Sequence, residues 1–325
     1  MYKGKAYKRN DTSTVEVDQV ELKRLVLIGE NLYFDELPTN RSNLTFNYFF
    51  EVLKEKLFVS NPNEDTLKTI GLLNNDNKYN NAAILFCDQN DFPGIDIVRF
   101  GSNSNEIMRR ENLFGNSILE QFDQAVEIFD SYYKLEEIKG MERRERYLVP
   151  KEAFREVIAN ALVHRTWDIN SNIRVLMYLD KIEVSSPGGL PVGLSKEEYL
   201  NGRISNLRNP IVGNIFFRLN LIEMFATGIR RIKESYININ HKPIFEVSQN
   251  SIVISLPTTT MKESMTVDER TIHELLSSGI LFSSSDLAEK SGFSKNKVVR
   301  LLNSLQEKHY VRKEGAGRST KYYLG

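Results

Sequence analysis

Two periods run along the chain. Apolar residues recurring every three to four positions mark helices, and short apolar runs rich in β-branched residues mark strands. The helical period predicts helices at 20–28, 45–57 (Phe46, Phe49, Phe50, Val52, Leu53, Leu57), 65–73 and 117–134 (Ile118, Leu119, Phe122, Ala125, Val126, Ile128, Phe129). A further helix is predicted at 151–164, opened by Pro150, whose missing amide costs nothing at a helix start. Strands are expected at 82–87 and 95–100, joined as a hairpin across a loop broken by Pro93-Gly94. Two more hairpins are expected, 173–179 with 182–185 and 244–247 with 252–256. The asparagine-rich 74–81 reads as a loop, and the charged 136–146 as a separator. Helices interleaved with antiparallel hairpins predict an α+β sandwich.

Beyond Leu256 the pattern changes. Residues 258–265 have linker composition, and helices are predicted at 267–278, 284–291 and 295–308. Only Gly292-Phe-Ser separates the last two, the turn of a helix-turn-helix, with Ser283 to Ser285 and Ser294 as N-cap candidates. Val298, Val299, Leu301, Leu302 and Leu305 supply the apolar face of the third helix, while Lys295, Asn296, Lys297 and Arg300 crowd its first half. Two short β runs then flank the glycine-rich tip Glu314-Gly-Ala-Gly-Arg-Ser and carry Arg312, Lys313, Arg318 and Lys321. Residues 266–325 therefore read as a winged helix-turn-helix, with the third helix placed to meet base edges and phosphates of double-stranded DNA. From Ser294 onward eight basic residues face two acidic ones, a local +6. A solvated face on a dimerisation module is the rival reading.

Composition narrows the remaining choices. At 325 residues and 41% hydrophobic content the chain can build two or three cored domains, and its 43 basic and 43 acidic residues cancel, so a nucleic-acid partner must be argued from local charge. The single Cys87 excludes a disulfide framework and reads as a core thiol. No apolar run reaches the ~18 residues of a membrane span and no secretory signal follows Met1, so a cytoplasmic protein with no membrane partner is expected.

Within the 151–164 helix, Glu156 and Asn160 stand four residues apart and project from one face. A carboxylate and an amide so placed can orient a water and coordinate a phosphate-bound metal. His164 and Arg165 close the helix where cations suit the exposed carbonyls, so capping is their first reading and a phosphate contact for Arg165 the second. Trp167 reads as packing, and Arg208-Asn209-Pro210 as the start of a further helix.

The segments Phe154-Arg-Glu-Val-Ile-Ala-Asn-Ala-Leu-Val-His-Arg, Ile182-Glu-Val-Ser-Ser-Pro-Gly-Gly-Leu-Pro, Arg208-Asn-Pro and Ala226-Thr-Gly-Ile occur in this order. Together they resemble a bacterial family named for a RecG-like helicase C-terminal region, or HATPase-like domain, whose members are usually described as transcriptional regulators. The resemblance spans roughly residues 2–257. It implies a GHKL-like two-layer α/β sandwich at 19–257, behind a preceding α+β segment, that binds ATP and Mg²⁺. Glu156 then matches the family's water-activating glutamate, Asn160 its magnesium-binding asparagine, and Arg208-Asn-Pro a segment of the lid. Ser186 stands where GHKL enzymes place the aspartate that reads adenine, ahead of Gly188 and Gly189, and Ala226-Thr227-Gly228 stands at the later glycine segment that meets phosphates. Members commonly carry an N-terminal Schlafen-AlbA domain, and residues 1–18 look like its last strand and exit. A motor helicase needs a Gly-x-x-x-x-Gly-Lys-[Ser/Thr] loop, which the sequence lacks. The expected function is a DNA-binding transcriptional regulator, a homodimer, with a degenerate ATP-binding domain. The alternative is a weak Mg-dependent ATPase using Glu156 and Asn160, with the winged helix as an oligomerisation or effector module.

Overall fold

A computed structural model describes residues 5–10, 13–30, 32–74, 76–101, 103–139, 142–191, 193–202, 206–223, 228–239, 241–259, 266–276, 281–307, 310–315, 317 and 320–324. The chain divides into two compact units, Met1–Thr258 and Thr259–Gly325.

The first unit opens with a hairpin of β1 (Tyr7–Asn10) and β2 (Ser13–Glu16), then α1 (Gln19–Gly29), a 3-10 turn (Phe34–Glu36), α2 (Asn47–Leu57), α3 (Glu64–Thr69) and α4 (Asn81–Phe86). Next come β3 (Ile95–Phe100), β4 (Ile107–Leu113), α5 (Ile118–Tyr133), a second hairpin of β5 (Lys134–Lys139) and β6 (Glu142–Tyr147), and α6 (Lys151–His164). It closes with β7 (Ile173–Met177), β8 (Lys181–Pro187), α7 (Lys196–Asn201), α8 (Pro210–Arg218), α9 (Gly228–Ser235), β9 (Ile244–Val247) and β10 (Ser251–Pro257).

Six of these strands form one mixed sheet in the order β4-β3-β7-β8-β10-β9. Only β3 and β7 run parallel, and a parallel pair needs a long crossover, which α5, the β5–β6 hairpin and α6 supply. Strand alternation sorts the side chains: Ile95, Ile97, Ile173, Val175, Ile182 and Val184 are buried, while Asp96, Arg174, Glu183 and Ser185 point to the other side. Helices α5 and α6 pack on the apolar face, so the unit is an α+β structure with a sheet layer and a helix layer. At its centre Phe129 of α5 stacks on Phe154 of α6 with ring centroids 4.3 Å apart.

A buried carboxylate ties the beginning of this unit to its end. Asp35 is fully buried and its Oδ2 accepts hydrogen bonds from the amides of Ile211 (2.8 Å) and Val212 (3.0 Å), the first free donors of α8. Burial outweighs these bonds and pushes its pKa up to about 7.

Two expectations fail here. Residues 82–86 are helical rather than extended, with Cys87 as the C-cap: Asn80 accepts the Ala83 amide as an N-cap, and Ala82, Ala83, Ile84, Leu85 and Phe86 are buried. A short, wholly apolar run has no period to separate a buried helix from a buried strand. The 95–100 strand consequently pairs with β4 and β7. The charged 136–146 stretch is not a plain separator but the core of the β5–β6 hairpin, with cross-strand pairs Lys134–Glu145 (2.6 Å) and Glu136–Arg143 (3.3 Å). Cys87 is buried, as a core thiol should be.

The second unit contains α10 (Val267–Leu276), α11 (Ser284–Ser291), α12 (Lys295–Glu307) and an antiparallel hairpin of β11 (Val311–Glu314) and β12 (Lys321–Leu324). Phe282 bridges to Tyr322, adding one more extended contact to the hairpin. Ser283 caps α11 in a box with Asp286, and Gly292 ends that helix in the left-handed region at φ 70°. Ile272, Leu287, Val298, Leu302, Leu305 and Val311 form its separate core.

Candidate functional site

Helix α6 carries the site because it is buried on nearly all sides. Ala153, Phe154, Val157, Ile158, Ala159, Ala161, Leu162 and Val163 are enclosed, and Glu156 and Asn160 form the polar stripe between them. The Asn160 amide donates to Glu156 Oε1 at 3.0 Å, one helical turn apart. Glu156 is only 6% exposed, and desolvation raises its pKa against the pull of Asn160 and Arg231.

Helix α9 lies against this stripe. A β-carbon on Gly228 would fall 2.5 Å from Glu156 Oε1 and 2.8 Å from Asn160 Nδ2, so glycine lets the two helices meet here without moving either side chain. One turn on, Arg231 places Nη1 3.7 Å from Glu156 Oε2 and 3.3 Å from Glu223 Oε1, with half of its side chain exposed.

Beside Asn160 a cavity of about 100 Å³ opens between α6, α9, β8 and β10. Its walls include Val157, Ile229, Ile232 and Ile254, with Ser186, Gly188 and Gly189 at the end of β8. A dry cavity of about 150 Å³ holds one benzene, so this space has the size of a flat ring and not of a whole nucleotide. Ser186 Oγ donates to the Ala161 carbonyl at 3.3 Å, which leaves its lone pairs to accept a donor on such a ring. His164 also lines the cavity; burial, then the neighbouring Arg208 cation, lower its pKa to about 4, so it is a neutral imidazole at pH 7.

The cavity floor is fixed by side chains that cap α6. Arg208 donates to the His164 carbonyl (2.9 Å), Thr166 Oγ1 (2.8 Å) and the Gly189 carbonyl (2.9 Å). Asn209, fully buried, donates to the carbonyls of Val163 (2.7 Å) and Arg165 (3.0 Å). Gly188, at φ 101°, has no room for a β-carbon, which would lie 2.1 Å from Thr166 Oγ1. Arg208-Asn209-Pro210 does start a helix, α8, but Arg208 is bound beneath the cavity and not in a lid.

Two readings of the helix end change. Arg165 is fully buried and directs its guanidinium away from the cavity to the carbonyls of Pro93 (2.9 Å) and Ser171 (2.6 Å), so it makes no phosphate contact. The α6 carbonyls are capped by Arg208 and Asn209 instead, residues whose spacing carries no local signal. Trp167 packs edge-on against Phe92 and under the Arg165 cation, 4.2 Å from its ring centre. Of the expected nucleotide residues, Asn160, Ser186, Gly188, Gly189 and Gly228 gather around the cavity with Glu156 one turn back, while Thr227 lies outside the described residues. Sequence reasoning does not single out Arg231 or Glu223, although the paired Arg230-Arg231 after Gly228 is a signal. Among the described residues there is no cluster of three or more His, Cys, Asp or Glu that could hold a metal.

In the second unit, Lys295, Asn296, Arg300 and Asn303 are exposed on α12, and Arg312, Lys313 and Lys321 on the hairpin. Asn296, Arg300 and Asn303 follow i, i+4, i+7 and share one face. Lys297 is drawn back: its ammonium meets Asp268 at 2.8 Å and lies 3.9 Å from the Phe293 ring centre. Arg318 lies outside the described residues. Among the described residues no helix is long and apolar enough to cross a membrane.

Comparison with known proteins bears on the larger unit. Residues 170–256 match the family model described as "Putative ATP-dependent DNA helicase recG C-terminal", an HATPase-like domain, which supports the resemblance over that span. Glu156 and Asn160 lie before the matched residues. Among solved structures, the DIP2311 protein of Corynebacterium diphtheriae is similar at a TM-score of 0.61 and 19% identity, over 99% of this chain and 70% of that one, a likeness of fold. No curated protein matches the chain.

Proposed function

We propose that the protein is a DNA-binding transcriptional regulator in which the second unit is a winged helix-turn-helix and the HATPase-like unit holds a nucleotide. The observation that carries the DNA half is the outward face of α12, where Asn296, Arg300 and Asn303 are exposed above a core of Val298, Leu302 and Leu305. Arginine reads guanine and asparagine reads adenine in a major groove, and exposed cations on a flanking hairpin hold phosphates. Arg312, Lys313 and Lys321 supply those cations. Lys297 contributes less, because reaching DNA would cost it Asp268 and Phe293. Two-fold sites are met by two-fold dimers, so the active form is a homodimer.

A fluorescence-polarisation titration with duplex DNA tests this. Arg300→Ala is expected to weaken binding to the preferred duplex by about tenfold or more and to relax its specificity, Arg312→Ala to lower the salt slope by about one contact, whereas Lys297→Ala changes affinity by less than about threefold. Wild-type protein that binds no duplex at 100 mM salt would end the proposal.

For the nucleotide half, support comes from the apolar walls and Ser186, which would take the edge of a base, and from Asn160 beside them, whose amide oxygen would hold Mg²⁺. Bound there, Mg²⁺ would neutralise charge on phosphate oxygens. Ser186 offers a neutral hydroxyl where a carboxylate would give a charge-assisted bond, so base recognition is weak. A second reading, a slow ATPase, draws support from Glu156, whose raised pKa suits it to accept a proton from water; that reading requires phosphate release that depends on Glu156.

A further inference from the structure

We infer that Arg231 is the residue through which this site distinguishes a nucleoside triphosphate from a diphosphate, by leaving Glu156 and Glu223 to pair with the terminal phosphate. The inference rests on the nucleotide reading and adds a residue and a selectivity to it.

Among the described residues Arg231 is the side-chain cation paired with Glu156, and the pairing is loose. Its Nη1 is 3.7 Å from Glu156 Oε2, beyond the 2.7–2.9 Å of a strong charge-assisted bond, and its second partner Glu223 is 3.3 Å away. Half of the Arg231 side chain and about half of that of Glu223 are in solvent, whereas Glu156 is enclosed. One cation therefore stands between two carboxylates, in no fixed two-point pair with either.

Its place on α9 gives this looseness a use. Ile229 and Ile232 of the same helix form the apolar wall of the cavity, and Gly228 is pressed against Glu156 and Asn160. One short helix thus joins the ring-sized cavity, the Glu156–Asn160 pair and the cation. Without Arg231, two carboxylates would face any polyphosphate reaching from the cavity toward Asn160, and repulsion would grow with each added phosphate. With it, a guanidinium fork is available to a terminal phosphate, which can take two parallel hydrogen bonds where Glu156 and Glu223 each offer one long contact. The exchange would also free Glu156 from its cation.

Calorimetry on the full chain with Mg²⁺ and either ATP or ADP tests the inference by affinity. Wild type should prefer ATP. Arg231→Ala should weaken ATP by about tenfold or more, the worth of a hydrogen bond to a charged group, and leave ADP within about twofold, so that the preference disappears. Arg231→Lys, which keeps the charge but not the fork, should retain part of it. Glu223→Gln, a change at an exposed position that spares the fold, removes a competitor for Arg231 and should tighten ATP alone. ATP bound with an ATP-to-ADP ratio that neither Arg231→Ala nor Glu223→Gln alters would overturn the inference while leaving the nucleotide site standing. Failure of wild type to bind either nucleotide would overturn both.

Discussion

The two polar regions of α6 differ in what their side chains hold. At its C-terminal end the partners are mainly backbone carbonyls: Arg208 and Asn209 take those of Val163, His164 and Arg165, with Thr166 Oγ1 as the one side-chain acceptor, and Arg165 takes those of Pro93 and Ser171. In its middle the partners are side chains, with Glu156 between Asn160 and the half-exposed Arg231. A carbonyl belongs to the fold and cannot leave without unfolding part of it, whereas a side chain can change rotamer. Cations bound to carbonyls are thus permanent fixtures, and a carboxylate shared among side chains can be re-paired by a ligand.

The difference is sharpest in stability. Arg165→Ala would orphan buried carbonyls and open space beside Trp167, and is expected to cost about 2–5 kcal/mol in urea denaturation. A loss below about 1 kcal/mol would show that these bonds are dispensable.

A smaller effect separates two titrating groups, Asp35 at the start of α8 and His164 at the cavity wall. Asp35, raised to about 7, keeps a proton in the folded chain that the unfolded chain releases near 3.8, so its contribution to stability falls as pH rises from about 4 to 7. His164, lowered to about 4, refuses a proton that the unfolded chain takes up below 6.5, so its contribution is lost as pH falls through that range. The opposing slopes should leave the combined contribution of these two groups nearly flat between about pH 4.5 and 6. Asp35→Asn should expose a rise of about 1 kcal/mol per pH unit and His164→Gln a comparable fall, read from denaturation midpoints across pH. Parallel curves for all three proteins would refute it.

The smallest change sharpens the middle of the helix. Gly228→Ala drives a methyl group against Glu156 Oε1 and should cost about 1–3 kcal/mol. In the Glu156→Ala background much of that cost should vanish, a coupling of about 1 kcal/mol measurable in a double-mutant cycle. Additive effects would mean that α9 does not press on Glu156.

How far these features are legible in the sequence depends on their range. Helix α6, the β7–β8 and β9–β10 hairpins and the three helices of the second unit follow from local periodicity, and their bounds agree with the structure to within a few residues. The Glu156–Asn160 contact follows from helical spacing alone. Residues 82–87 mislead because a run without polar positions has no period. The β5–β6 hairpin escapes notice because its pairing rests on charges and not on apolar alternation. Asp35 capping α8, Arg208 capping α6 and Arg231 facing Glu156 all join residues distant in sequence, so no window along the chain contains both partners. Lys297 looks like its neighbours Lys295 and Arg300 in sequence, and only the fold reveals that Asp268, on another helix, claims it.

The contact between α6 and the sheet has a practical meaning for anyone dividing the molecule. A piece cut at residues 170 and 256 would carry Ser186 and the whole of α9 yet leave α6 and Asp35 behind. Ile173, Val175, Ile182 and Val184 would then lose their cover and face water as a greasy slab, inviting aggregation. The recognisable stretch is therefore not a portable cassette; the smallest excisable part extends back at least to the 3-10 turn that bears Asp35.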